Sequence, residues 1–79
     1  MLVRVKLFAT LGRFRPGERP GSPFTFAVDE GATVADLTAR LGLPEAEVKV
    51  VFVNGLVQPP TYVLRAADEV GIFPPIGGG

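Results

Sequence analysis

Thr33-Val34-Ala35-Asp36-Leu37-Thr38-Ala39-Arg40-Leu41-Gly42 is the stretch of this 79-residue chain that reads as a full helix. Thr33 suits an N-cap. Asp36, three residues on, approximates a capping box and complements the positive end of the helix. Val34, Leu37 and Leu41 fall at i, i+3 and i+7 and form one apolar stripe. Gly42 is the expected stop, with Pro44 beyond it, so the helix is short, about ten residues. A single helix can cover only one face of a sheet, so everything else in the chain must be arranged around that stripe.

Upstream, Leu2-Val3-Arg4-Val5-Lys6-Leu7-Phe8 alternates as a half-buried strand does. Val3, Val5 and Leu7 share the inward parity. Leu2, Arg4, Lys6 and Phe8 share the other, which the two cations mark as solvated. Thr10 to Ser22, with Gly12, Pro16, Gly17, Pro20 and Gly21 among Arg13, Arg15 and Arg19, reads as an irregular solvated loop. Phe24 to Asp29 alternates again, with Phe24, Phe26 and Val28 inward, and predicts an antiparallel hairpin with the first strand.

Downstream, Val48 to Val53 is a β-branched strand ended by Asn54-Gly55, the strongest short hairpin signal. Parity leaves open which of Val50 to Val53 face inward, because the run is apolar throughout. Leu56-Val57 is a brief return strand cut off at Pro59-Pro60. Thr61 to Leu64 either pairs weakly or forms a helical turn. Ala67-Asp68-Glu69 reads as a turn, and Val70-Gly71-Ile72-Phe73 as a last strand with Val70 and Ile72 inward. Phe8 and Phe73 are thus expected together on the sheet face opposite the helix, which is an unusual exposure of aromatic surface. The helix should pack on Val3, Val5, Leu7, Phe26, Val28, Val70 and Ile72. The fold class is α+β, a mixed sheet of four to five strands with one main helix on one face.

The composition narrows the chemistry. There is no Cys and no His, so disulfides, thiolate metal sites, a Cys nucleophile and the usual neutral-pH base are absent. Eight basic and eight acidic residues cancel, which argues against nucleic-acid binding. No signal peptide or membrane span is legible, and a cytoplasmic protein is expected. Asp29-Glu30 and Asp68-Glu69 are adjacent carboxylates that read as solvated turns. The Gly12 to Gly21 stretch lacks phosphate-loop spacing, and Thr10, Ser22 and Lys49 have no visible base or partner.

What remains is the ending, Phe73-Pro74-Pro75-Ile76-Gly77-Gly78-Gly79. Two prolines favour extended geometry and push the chain off the sheet. Gly77, Gly78 and Gly79 lack a Cβ and suit a channel too narrow for any side chain. A terminal carboxylate is a poor electrophile, but conversion to an acyl-adenylate would let a sulfur donor replace oxygen. Residues 1–73 are therefore expected to form one domain and 74–79 a flexible functional tail.

Four stretches together resemble the MoaD/ThiS family of ubiquitin-like sulfur carriers, which have the β-grasp fold. They are Val3 to Ala9, Thr33 to Leu37, Val53-Asn54-Gly55 and, most specifically, Asp68 to Gly79. The Phe-Pro-Pro-aliphatic-glycine ending is similar to that of molybdopterin synthase small subunits. The resemblance implies that Gly79 is adenylated and thiocarboxylated by an E1-like adenylyltransferase of the MoeB/ThiF type. ATP would be used by that partner, with no cofactor or metal bound by this chain. Gly77 and Gly78 would thread into a synthase large subunit of the MoaE type, in a heterotetramer, to deliver sulfur to molybdopterin. Phe8, Phe73, Pro74, Pro75 and Ile76 would contact partners, and the chain would not be an enzyme by itself. The short helix leaves room for a carrier serving thiamine or another sulfur pathway. Two other classes stay open: a modifier conjugated through Gly79, and a pure binding module working through the Phe8/Phe73 patch. Phe73→Ala is expected to weaken partner binding by ~1–3 kcal/mol with little effect on folding.

Overall fold

A computed structural model of the chain describes residues 1–15, 17, 19 and 21–75. Five strands form one sheet in the order β2-β1-β5-β3-β4: β1 (Leu2–Leu7), β2 (Phe24–Ala27), β3 (Val50–Val53), β4 (Leu56–Val57) and β5 (Glu69–Phe73). β1 and β5 run parallel, and the other neighbours are antiparallel. This is the expected mixed sheet. β5 lies at its centre, hydrogen-bonded to β1 on one side and β3 on the other.

α1 (Val34–Arg40) packs on one face. Its capping box is complete: the Asp36 N–H donates to Thr33 Oγ1 at 3.2 Å, and the Thr33 N–H donates to Asp36 Oδ2 at 2.9 Å. At the other end Gly42 adopts φ +75°. The Gly42 N–H bonds to the Ala39 carbonyl and the Leu43 N–H to the Thr38 carbonyl, a Schellman closure that ends the helix at seven residues. The helix is therefore shorter than the sequence suggests. Asn54 (φ 52°) and Gly55 (φ 85°) both take the left-handed conformation that a type I′ turn demands, and they join β3 to β4 as expected.

Val3, Val5, Leu7, Val28, Val34, Leu37, Leu41, Val70 and Ile72 are all buried in one core, and Phe24 and Phe26 pack against it half-buried. Val51 and Val53 complete the inner face, which resolves the parity left open for β3. Thr61 to Leu64 contributes an isolated bridge, Thr33 to Val63, and Leu64 enters the core. Among the described residues no helix is long and apolar enough to cross a membrane.

Three expectations fail. Ala9–Phe14 is a 3-10 helix rather than irregular loop, because Leu11 is fully buried and pulls the segment onto the core. Of the arginines expected to be solvated there, Arg13 and Arg19 are exposed, and Arg15 is half-buried. Arg13 Nη2 donates to Glu47 Oε1 at 3.0 Å, and the half-buried Arg15 guanidinium stacks 4.4 Å from the Phe24 ring centroid. Asp68 is buried, not solvated. Its Oδ1 accepts from Asn54 Nδ2 and its Oδ2 from the Arg65 N–H, while Asn54 Oδ1 accepts from the Glu69 N–H. This carboxylate ties the β3–β4 turn to the start of β5, which is why it carries no solvent-facing chemistry.

Candidate functional site

The outer sheet face carries the aromatic surface. Phe8 follows β1, and its N–H donates to the Ile72 carbonyl at 3.0 Å, so it continues the parallel ladder by one residue. Its ring stacks on that of Phe73, with centroids 4.0 Å apart and planes 8° apart. Phe52, on the outward parity of β3, meets Phe73 edge-on at 5.4 Å and 71°. The two predicted phenylalanines are thus brought together, and a third joins them. No polar position within Val50–Val53 marks the solvent side, so the sequence held no signal for Phe52. Only its pairing with Gly71 sets its face.

Gly71 makes the stack possible. A Cβ there would lie 3.2 Å from Cε2 of Phe8, closer than carbon atoms sit comfortably, so the bare backbone lets the Phe8 ring lean over β5. The Lys6 ammonium lies 5.0 Å from the Phe8 centroid, within cation–π range, and Arg4 stands farther back along β1, opposite Glu69. Together these groups surround an open depression of about 400 Å³.

The chain leaves the sheet from its centre. The Phe73 carbonyl accepts from the Lys49 N–H at 2.9 Å, which pins the last residue of β5 against β3. Pro74 and Pro75 have no N–H and end the ladder there. Pro74 is half-buried and Pro75 exposed, so the segment departs from a rigid base beside the aromatic stack. The remaining predicted site residues, Ile76, Gly77, Gly78 and Gly79, lie outside the described residues.

Elsewhere the described residues offer little chemistry. They contain no group of three or more acidic side chains able to hold a metal ion. Asp29 and Glu30 are exposed in a turn, and Asp68 is committed to its hydrogen bonds. The distinctive features of the described residues are the outward aromatic cluster and the departure of the chain from β5 at Pro74-Pro75.

Comparison with known proteins fits this geometry. The model of the ThiS family matches residues 5–79. SAMP1 from Haloferax volcanii is 27% identical, with a TM-score of 0.73 and all of both chains covered. The putative molybdopterin converting factor, subunit 1, from Pyrococcus furiosus is 25% identical, with a TM-score of 0.75, covering 96% of this chain and 99% of that one. A chain from the complex of subunits 1 and 2 of the Helicobacter pylori molybdopterin-converting factor shares the fold, at 21% identity and a TM-score of 0.61 over the whole of both chains. No curated protein matches this chain.

Proposed function

The chain belongs to the ThiS family, with the ubiquitin-like β-grasp fold of its sulfur carriers and modifiers, and from that premise we propose that it carries sulfur on Gly79 for molybdopterin synthesis. The observation that carries the reading is the exit of β5. A central strand, pinned on both sides, runs past a stacked aromatic pair into Pro74-Pro75, and the sequence continues as Ile76 and three glycines. An E1-like partner would join the Gly79 carboxylate to the AMP moiety of ATP, releasing pyrophosphate. A sulfur donor would then displace AMP to leave a thiocarboxylate. Gly77 and Gly78 would pass through the narrow active site of a synthase large subunit, with Phe8, Phe73, Pro74, Pro75 and Ile76 seated against it. The similarity to a putative molybdopterin converting factor subunit 1 supports this destination, and the lack of Cys and His fits catalysis by the partners.

The similarity to SAMP1, which belongs to a kind of protein named for modification, favours a second reading: an isopeptide bond from Gly79 to lysines of target proteins. Both readings need activation of Gly79, so one pair of assays separates them. Molybdopterin formation with a purified large subunit that is lost on deletion of Gly79 supports the carrier. Covalent adducts in lysate, lost on deletion of Gly78-Gly79, with no molybdopterin formed, would replace it with the modifier.

A further inference from the structure

The outer face is not a uniform apolar sheet. Cross-strand pairing sets Lys6 opposite Gly71, Gly71 opposite Phe52, and Phe52 opposite Val57, so one row of side chains crosses four strands, interrupted at Gly71, where the Phe8 ring edge leans in. The depression beside that edge is walled by Phe8 and Phe52, and Arg4 and Glu69 stand opposite each other in the next row. Two cations therefore face one carboxylate around an apolar floor. The single ion pair among the described residues is Arg13 with Glu47, so neither Arg4 nor Lys6 is held by a salt bridge there.

We propose that the depression between Phe8 and Phe52, beside Gly71, is a specificity pocket, taking one apolar side chain of a partner protein together with a neighbouring carboxylate held by Arg4 and Lys6. This rests on the reading that the outer face meets partners, and it names what they must present. Charge complementarity selects the occupant: an apolar group fills the depression between Phe8 and Phe52, and an acid answers the excess cation. A nucleic acid would gain phosphate contacts but leave the aromatic walls unfilled, and the chain has no net positive charge to attract it. Gly71 fixes the depth of the pocket, because a side chain there would fill it and displace Phe8.

Titration of the ¹⁵N-labelled full chain with 3-phenylpropionate, and separately with the neutral 3-phenylpropanamide, tests the proposal by amide chemical shifts. Saturable shifts at Lys6, Phe52 and Gly71 are expected from both, with the carboxylate about threefold tighter, as for an exposed ion pair. Gly71→Val should abolish both responses, because its side chain displaces the Phe8 ring and fills the depression. Arg4→Gln with Lys6→Gln should leave apolar binding and remove the preference for the carboxylate, and this variant carries the test should Gly71→Val not fold. Equal affinity for the two probes, shifts confined to other surfaces, or the same shifts on raising protein concentration alone would overturn the proposal. The last result would make a second copy of the chain the occupant. Neither probe involves the tail. Pocket binding without sulfur at Gly79 would therefore sink the carrier reading alone, and sulfur at Gly79 without pocket binding would sink only the pocket.

Discussion

Replacing Phe73 by Ala should cost stability as well as partner binding. The sequence alone places Phe73 on an exposed face and predicts little effect on folding, but the ring makes two aromatic contacts. It stacks on Phe8 at 4.0 Å and meets Phe52 edge-on at 5.4 Å. Such pairs contribute ~0.5–1.5 kcal/mol each beyond the area they bury, so loss of the two pairs alone should cost Phe73→Ala about 1–3 kcal/mol. In a domain of this size each kcal/mol lowers Tm by ~4–8 °C, so a fall of roughly 8–16 °C is expected for a loss of ~2 kcal/mol. A double-mutant cycle isolates the stack: Phe8→Leu, Phe73→Leu and the pair, compared by urea unfolding. The chain has no Trp and one Tyr, so far-UV circular dichroism is the suitable signal. A coupling of ~0.5–1.5 kcal/mol is expected between the two positions. Additivity within ~0.3 kcal/mol would show that the rings do not stack in solution, and the rigid base proposed for the tail would go with them.

Asp68→Ala should destabilise by ~1–2 kcal/mol, because it removes the acceptor of the part-buried bonds from the Arg65 N–H and the Asn54 amide; a loss below ~0.5 kcal/mol by urea unfolding would refute the clasp. Leu11→Ala should cost ~2–5 kcal/mol, the range for a fully buried leucine, whereas an irregular solvated loop would give almost no change in the same assay. Ala67 holds φ 68°, a conformation costly for any residue with a Cβ, so Ala67→Gly should raise stability by about 0.5–1 kcal/mol; a lower Tm would contradict that strain.

The fold was legible where one signal dominated locally. Alternation in Leu2–Leu7 placed Val3, Val5 and Leu7 inside, Thr33 and Asp36 announced the helix start, and Asn54-Gly55 announced the hairpin. Leu11 was missed because glycines, prolines and arginines surround it, and one leucine has no period. Asp68 was misread because an acid in a turn is ordinarily solvated. Its burial depends on Asn54, fourteen positions away along the chain and visible as a partner only after β3 and β5 pair. The length of α1 was overestimated because Gly42 closes the helix with a Schellman motif, whose last turn lies outside the α-helical hydrogen-bond pattern. Of the candidate site, strand parity alone brought Phe8 and Phe73 to one face. Phe52 and the depression beside Gly71 emerged from cross-strand register, which no single strand encodes.

The central claim is that the working atom of this protein is the terminal carboxyl of Gly79. Intact-mass measurement of the full chain tests it most directly, after incubation with an E1-like activating enzyme, ATP, a persulfide sulfur source and a thiol reductant that cleaves the resulting acyl disulfide to the thiocarboxylate. The account predicts replacement of one oxygen by sulfur, located at Gly79 by fragmentation and lost when ATP is withheld. An unchanged mass while the same enzyme loads a carrier of established activity, or sulfur found anywhere but Gly79, would contradict it.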